Sequence, residues 1–139
     1  MSRRKSRKLA FQTLFQVDQV KAEPLQAMKW LLEQTKMNEE EIAYTQEIIE
    51  GVMQHQEEID ALLSQFSQSW KLERMFAVDR VVLRMGSYEL MYEDIPAAIV
   101  IDEAIEMTKA YGDEHSPAFV NAILDQVKKY HEQHESVQA

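Results

Sequence analysis

The residues best suited to binding chemistry stand at the start of the chain, where five cationic side chains lie within a few residues of one another. They are Arg3, Arg4, Lys5, Arg7 and Lys8. The whole chain carries 15 Lys and Arg against 24 Asp and Glu, yet no acid precedes Asp18. Positive charge at a helix N-terminus opposes the macrodipole, so folding alone gives no reason to collect it there. We therefore interpret residues 3–8, the basic arm, as a binding site for a polyanion.

Aromatic side chains lie beside the basic arm on a helical wheel. Arg4 and Lys8 fall on the same side as Phe11 and Phe15 when the segment is drawn as a helix. Lys and Arg neutralise phosphates with release of counterions, and an aromatic ring can stack an unpaired base. The pattern favours single-stranded RNA as the ligand. Two alternatives stay open, namely a disordered solubilising tail and phenylalanines that serve only the core.

The charge of the remaining chain limits what the basic arm can do alone. Beyond residue 17 the chain has the other 10 of its 15 basic residues against all 24 acidic ones. Eight acids between Glu39 and Asp60 form either a solvated face or a docking surface for a basic protein. Five contacts to single-strand phosphates would give a salt slope of about −3.5. We therefore expect weak binding unless a second, basic subunit shares the RNA.

Patterns for catalysis and for metal binding are weak. Asp102 and Glu106 have helical spacing but lack an accompanying Glu-x-x-His motif. His131 and His134 resemble a zinc motif, but HExxH requires a histidine at Glu135. The chain has no cysteine, no glycine-rich nucleotide loop and no serine elbow. The sequence predicts no enzyme, no metal site and no cofactor.

The apolar spacing predicts an all-α fold. Seven helices are expected, near residues 10–17, 24–32, 41–53, 59–66, 78–92, 100–111 and 116–127. Pro24 suits a first helical position, and Asn38 with Glu41 resembles a capping box. Gly112 suits a left-handed C-terminal residue, and Ser116 an N-cap. The apolar pattern lapses over residues 54–58, which predicts a break between the third and fourth helices.

The length and the connectors predict a single domain, residues 1–139, made of two packed small helical bundles. The N-terminal half-bundle is expected over residues 1–66 and the C-terminal one over 78–139, joined by a connector at 67–77. The apolar runs are far shorter than the roughly 20 residues that span a bilayer, and no signal-peptide core follows the basic arm. A soluble, cytoplasmic protein is expected, with an amphipathic transit peptide as the lesser alternative.

Four segments together resemble one protein family. RRKSRKLAFQTLFQ, DRVVLRMGSYEL, IPAAIVIDEAIEMTKAYG and SPAFVNAILD occur in this order and span essentially the whole chain. The chain resembles the NusB family of bacterial transcription antitermination factors. The resemblance implies two helical bundles and no catalysis. It also implies binding, with the ribosomal protein NusE, to the boxA element of ribosomal RNA transcripts, in an RNA polymerase complex that contains other Nus factors.

The resemblance also assigns roles to residues of this chain. The basic arm matches the RNA-binding start of the family, and Phe15 stands where tyrosine is common. Phe119 matches a position near the RNA, and the turn residues His115 and Ser116 adjoin it, although core packing is the alternative for Phe119. His115 stands where an acid is expected, which removes a charge that repels phosphate.

Two further residues are candidates for binding the protein partner. Asp79 matches an acidic position that meets NusE, and Arg80 stays open as a second contact. For Arg84 an internal ion pair with Asp102 or Glu103 is favoured over a partner contact. The alternative function is a helical protein adaptor that makes no RNA contact. Homodimerisation of the free protein is a further interpretation that the sequence allows.

Overall fold

The computed structural model describes residues 3–67 and 71–138. In this part of the chain there are six α-helices and one 3₁₀ turn, and no strand. They are α1 (Arg3–Val20), α2 (Pro24–Leu32), α3 (Glu39–Phe66), the 3₁₀ turn (Leu72–Arg74), α4 (Ala77–Tyr92), α5 (Ala97–Tyr111) and α6 (Ser116–Gln138). The all-α prediction is confirmed.

The predicted count of seven helices is wrong, because the third and fourth form the single 28-residue helix α3. The lapse in apolar spacing at residues 54–58 is not a helix stop. It contains Gln, His and Glu, which continue a helix at little cost, and neither proline nor a capping residue. Extending a helix fixes one residue for each bond made, whereas starting a new one requires costly nucleation.

Two helix starts predicted from capping signals in the sequence are found in the structure. Pro24 occupies the start of α2, where the Glu23 carboxylate accepts the N–H of Gln26. The predicted capping box before α3 is confirmed, since Asn38 Oδ1 accepts the Glu41 N–H at 2.9 Å. Glu41 Oε1 accepts the Asn38 N–H at 3.0 Å in return. Both bonds satisfy amide groups that the first turn of a helix leaves unpaired.

Two compact units divide the chain, Met1–Gln54 and His55–Ala139. The boundary falls inside α3, earlier than the predicted connector at residues 67–77, of which 68–70 lie outside the described residues. The first unit contains α1, α2 and the first half of α3. Its buried apolar residues are Leu9, Ala10, Phe11, Leu14, Ala27, Met28, Tyr44, Ile48, Ile49 and Val52.

In the second unit α4, α5 and α6 pack against one another. α4 is buried on most of its surface, including Val81, Val82, Leu83 and Met85. Such burial on all sides is typical of a central helix. At Gly86 a methyl group would lie 2.9 Å from Leu124 Cδ1, so the missing side chain lets α6 approach α4 closely.

Candidate nucleic-acid interface

The basic arm is the first part of helix α1, which begins at Arg3. Ser6 Oγ donates a hydrogen bond of 2.8 Å to the Glu41 carbonyl on α3, and Thr45 Oγ1 lies 3.4 Å from the Ser6 carbonyl. Ser6 and Thr45 are both buried. Because these bonds hold the arm against α3, the alternative of a disordered tail is wrong for residues 3–8.

The five cations of the basic arm differ in their surroundings. Arg7 is only 4% exposed. Lys5 Nζ donates to the Lys36 carbonyl at 2.7 Å, and Arg3 Cζ lies 4.3 Å from the centroid of the Tyr44 ring. Both contacts keep these charges close to the body of the first unit.

Arg4 and Lys8 present the most direct surface for a ligand. Both are exposed, and their spacing of four residues places them on one face of α1. No acidic side chain stands in the first turn of this helix. The face that they share is therefore a local positive surface on a protein whose net charge is −9.

The two phenylalanines of α1 contribute differently. Phe11 is buried, whereas Phe15 is half-buried, and their ring centroids lie 5.8 Å apart with the planes tilted by 33°. Phe11 is thus a core residue. The partly exposed ring of Phe15 remains the candidate for stacking on a base, as the sequence predicts.

The second unit contains a cleft of about 510 Å³. Its lining residues are Arg74, Met75, Phe76, Asp79, Asp113, His115 and Phe119. This Asp79 cleft brings together two sets of predicted residues, the partner-binding Asp79 and the RNA-binding His115 and Phe119. Phe76 is 48% exposed, so a large apolar ring lies at its edge.

Asp79 lies in the first turn of α4, and only part of its carboxylate is hydrogen-bonded within the fold. It is 7% exposed, and its Oδ1 has no hydrogen-bond partner among the described residues. Burial raises the pKa of the Asp79 carboxyl above 3.8, a side-chain hydrogen bond with Ser116 lowers it, and the charge of Asp113 raises it. A buried carboxylate oxygen without a partner is costly, and a water, an ion or a ligand group can supply the missing hydrogen bond.

The turn before α6 is held by Asp113 and Ser116. Asp113 Oδ1 accepts the N–H of His115 at 2.8 Å and that of Ser116 at 3.0 Å, and Ser116 Oγ accepts the Asp113 N–H at 3.1 Å. The bond from His115 is the largest cause of a lowered pKa at the Asp113 carboxyl. The capping carboxylate is therefore Asp113. The prediction that Ser116 is the N-cap is wrong, since Ser116 instead exchanges hydrogen bonds with Asp113, each side chain accepting the N–H of the other residue.

The other candidates in this region lie at different depths. Ser116 is fully buried, so its hydroxyl does not reach the surface, while His115 is exposed and Phe119 is half-buried. Arg80 is half-buried, and its Nη1 donates to the carbonyls of Leu72 at 3.0 Å and Met75 at 2.9 Å. Arg80 thus holds the segment that precedes α4.

Four residues of the Asp79 cleft were missed in the sequence, namely Arg74, Met75, Phe76 and Asp113. Arg74 and Phe76 stand two residues apart in the predicted connector. This mixture of a basic and an aromatic side chain is the signal that could have identified them. Asp113 gives no such signal, because aspartate is common in turns.

Other kinds of site receive no support from the structure. Across residues 3–67 and 71–138, no cluster of three or more His, Asp or Glu side chains is arranged to hold a metal ion. None of the described helices is long and apolar enough to cross a membrane.

Together these features define a small all-helical binding protein with a basic helix face in one unit and a partly charged cleft in the other. The family model described as the NusB family matches residues 4–129. The chain therefore belongs to the NusB family.

Two transcription antitermination proteins NusB are similar to nearly the whole chain. The transcription antitermination protein NusB of Syntrophomonas wolfei is 46% identical over 128 residues, which cover 91% of this chain and 96% of the relative. That of Bacillus pumilus is 39% identical, with coverage of 92% and 95%.

Solved structures agree with this assignment. The fold is similar to T. maritima NusB, with a TM-score of 0.89, 36% identity and coverage of 100% of this chain and 99% of that one. It is also similar to a chain in the crystal structure of antitermination factors NusB and NusE in complex with double-stranded RNA. The TM-score is 0.85, with 26% identity and coverage of 92% and 96%.

Proposed function

We propose that this protein is a non-catalytic RNA-binding adaptor in transcription antitermination. It binds the boxA element of ribosomal RNA transcripts together with NusE and joins RNA polymerase with the other Nus factors. This role belongs to the cytoplasm, where the transcript is made. The observation that carries the proposal is the exposed pair Arg4 and Lys8, one turn apart on α1, whose first turn contains no acid. The solved relative in complex with NusE and RNA supports it.

The surroundings of the basic arm divide its cations into two roles. Arg4 and Lys8 contact phosphates, and Phe15 stacks on a base nearby. Arg7 and Lys5 hold the arm in place, since one is buried and the other donates to the Lys36 carbonyl. Counterion release from two phosphates of a single strand gives a salt slope of about −1.4, which is shallower than five contacts would give.

The Asp79 cleft supplies the second half of the proposal. Asp79 Oδ1 has no hydrogen-bond partner in the described part of the chain, and a cation from NusE supplies one. A cationic subunit on this unit offsets the negative charge that opposes RNA. Affinity for RNA then depends on the protein partner, because the two proteins share one strand.

The test is a salt titration of binding to boxA RNA in the presence of NusE. We compare the wild type with R4A/K8A, and use K29A as a control because Lys29 is an exposed lysine on α2. The double variant should bind more weakly and with a slope shallower by about 1.4. K29A should match the wild type.

The strand form of the RNA is a second variable in the same experiment. We predict a preference for single-stranded boxA RNA, because a base must be unpaired to stack on Phe15. A duplex of the same sequence is measured in parallel, since the solved relative holds double-stranded RNA. If R4A/K8A binds like the wild type in both forms, the alternative of a protein adaptor without RNA contact is favoured.

A further inference from the structure

The basic arm forms a helix start that its own sequence disfavours. α1 begins with Arg3, Arg4 and Lys5, and its first turn contains no acid. The N-terminal end of a helix carries a partial positive charge from its unpaired N–H groups, so cations there are repelled and the first turns tend to fray. An arm with this sequence therefore needs contacts from outside α1 to stay helical.

The start of α3 has the opposite character. Its first turn contains Glu39, Glu40 and Glu41, and negative charges favour a helix N-terminus. The capping box between Asn38 and Glu41 satisfies two amide groups of the same turn. The start of α3 is thus stabilised by its own residues and can act as a fixed support for the arm.

Two buried hydroxyls join the arm to this support. The Ser6 hydroxyl donates to the Glu41 carbonyl at 2.8 Å. Thr45 Oγ1 donates to the same carbonyl at 2.7 Å and lies 3.4 Å from the Ser6 carbonyl. Ser6 is 1% exposed and Thr45 is 0% exposed, so water does not compete for these bonds. The Ser6 bond is the shorter of the two contacts between the helices and should contribute more.

Two further contacts join the arm to the same stretch of chain. Lys5 Nζ donates to the Lys36 carbonyl, and the Arg3 guanidinium lies over the Tyr44 ring. Contacts to residues 36–45 therefore occupy three successive residues of the first two turns, whereas Arg4 and Lys8 remain exposed on α1.

We infer that Ser6 and Thr45 are positioning residues for RNA binding. They hold the first two turns of α1 on α3, so that Arg4 and Lys8 stay one turn apart on the exposed face of one helix. This inference rests on the proposed function, because boxA RNA is taken as the ligand of that face. Since both hydroxyls are buried, they act through the position of the arm and not by contact with RNA.

The physical reason is preorganisation of the two exposed cations. Arg4 and Lys8 meet two phosphates of one strand at a fixed spacing only while the arm is helical. A frayed arm must be ordered during binding, and this ordering costs backbone and side-chain entropy. Loss of the buried bonds should therefore weaken RNA binding even though every cation of the arm is retained.

The main test is the variant S6A. Alanine has a higher helix propensity than serine, so S6A would bind RNA at least as tightly as the wild type if local helix formation were sufficient. The Glu41 carbonyl keeps Thr45 Oγ1 as a donor, so the substitution leaves no buried carbonyl without a partner. With saturating NusE, the dissociation constant for single-stranded boxA RNA should rise by about 5-fold, as expected for one lost hydrogen bond.

Thr45 supplies a second variant with a matched control. T45V removes the hydroxyl and should weaken RNA binding by about 2-fold, since its contact with Ser6 is longer. T45S keeps the hydroxyl and should bind like the wild type. The control is T13V, because Thr13 is also buried in the first unit but its Oγ1 donates within α1, to the Leu9 carbonyl at 2.9 Å. Thermal melting shows whether each variant is folded.

Two readouts separate positioning from a general loss of stability. The amides of residues 7–10 are the first that a helix beginning at Arg3 can bond internally, and their hydrogen exchange should become faster in S6A and T45V but not in T13V. The effect of S6A on RNA affinity should fall below about 2-fold in the R4A/K8A background, because the position of the arm matters through these cations.

The outcomes separate the inference from the proposed function. The positioning role is overturned if S6A keeps the RNA affinity of the wild type, if it weakens binding without faster exchange in the arm, or if it weakens binding equally in the R4A/K8A background. The adaptor function stands in each of these cases, because the wild type binds boxA RNA. If the wild type does not bind boxA RNA even with NusE, the proposed function and this inference are both overturned.

Discussion

Arg84 on α4 donates two parallel hydrogen bonds to Asp60 on α3, from Nε to Oδ1 at 2.8 Å and from Nη2 to Oδ2 at 2.9 Å. The side chains are only 13% and 24% exposed. Bidentate geometry in a partly buried setting makes this pair stronger than an ordinary surface ion pair. The predicted internal ion pair of Arg84 is thus confirmed, with Asp60 as an acid that the sequence did not indicate as its partner.

We expect this pair to contribute measurably to stability. R84A and D60A should each lower the free energy of unfolding by about 2 kcal/mol, because each removes two charge-assisted hydrogen bonds from the half-buried charge that remains. R84K should also be destabilising, since a lysine cannot donate in parallel to both oxygens. Urea unfolding of the single and double variants gives the coupling energy.

The ion pair between Asp125 and Lys129 is the control for that cycle. Its N–O distance is 3.0 Å, but the side chains are 44% and 67% exposed on α6. Its coupling energy should be about 0.5 kcal/mol or less. Equal coupling energies for the two pairs would contradict the argument from burial and geometry.

Local signals in the sequence predict where helices start, but they do not predict which side chains form ion pairs between helices. Pro24 and the Asn38–Glu41 capping box act over one turn of chain, so the sequence predicts them correctly. Arg84 selects Asp60, which is 24 residues away, and the selection depends on how α3 and α4 pack. Tertiary packing of this kind leaves no periodic signal in the sequence.

Gly112 shows how a correct residue can be predicted for an incorrect reason. The sequence predicts a left-handed conformation, but Gly112 has φ −93° and ψ −173°, which is extended backbone. The reason for glycine is space, because a methyl group here would lie 2.5 Å from Ser116 Oγ and 2.8 Å from the Thr108 carbonyl oxygen. Only a residue without Cβ lets the turn fold back this closely.

We therefore predict that G112A destabilises the protein, by about 2 kcal/mol, because backbone and a buried side chain must both move. Thermal or urea unfolding measures the loss. G112A/S116A should remain destabilised, since alanine at 116 retains the Cβ and the Thr108 carbonyl is unchanged. Full recovery in the double variant would show that the Ser116 hydroxyl alone causes the clash.

Asp79 should reduce the stability of the free protein at neutral pH. Burial raises the pKa of its carboxyl above 3.8 in the folded state. The folded state thus favours the protonated carboxyl, and this contribution is present below pH 3.8 and lost as pH rises through the raised pKa. D79N cannot ionise, so its stability relative to the wild type should increase over this range and then remain constant.

The measurement is the melting temperature of D79N and the wild type from pH 3 to pH 8. D94N is the control, because Asp94 is exposed and surface substitutions change stability by about 0.5 kcal/mol or less. A gap between D79N and the wild type that shrinks as pH rises would contradict the proposed cost of the buried charge. NusE should stabilise the wild type more than D79N.

The candidate site was only partly predictable, because burial of individual cations depends on the fold. A helical wheel separates Arg7 from Lys8 but does not show which of their faces the fold covers, and Arg7 is 4% exposed whereas Lys8 is exposed. The Asp79 cleft combines residues from three separate stretches of chain, which include Arg74 and Phe119. The resemblance to a family identifies Asp79, His115 and Phe119, and the structure shows that they share one cleft.

Tyr92 provides the last prediction, at alkaline pH. Its hydroxyl donates to Glu58 Oε2, and its ring stacks on His55 with centroids 3.8 Å apart. Burial, then the hydrogen bond and charge of Glu58, raise the pKa of Tyr92 to about 12. E58Q should lower this pKa, because the amide keeps an acceptor but removes the charge. Absorbance at alkaline pH, with Y92F to assign the signal, measures the shift.

The same pKa determines how stability changes with pH. Tyrosine has a pKa near 10 when unfolded, so the contribution from Tyr92 is complete below about pH 10 and is lost as pH rises through about 12. The stability difference between the wild type and Y92F should therefore shrink over this range. E57Q is the control for E58Q, because Glu57 is exposed on the same turn of α3. If both variants lower the pKa equally, general negative charge rather than the hydrogen bond to Glu58 sets it.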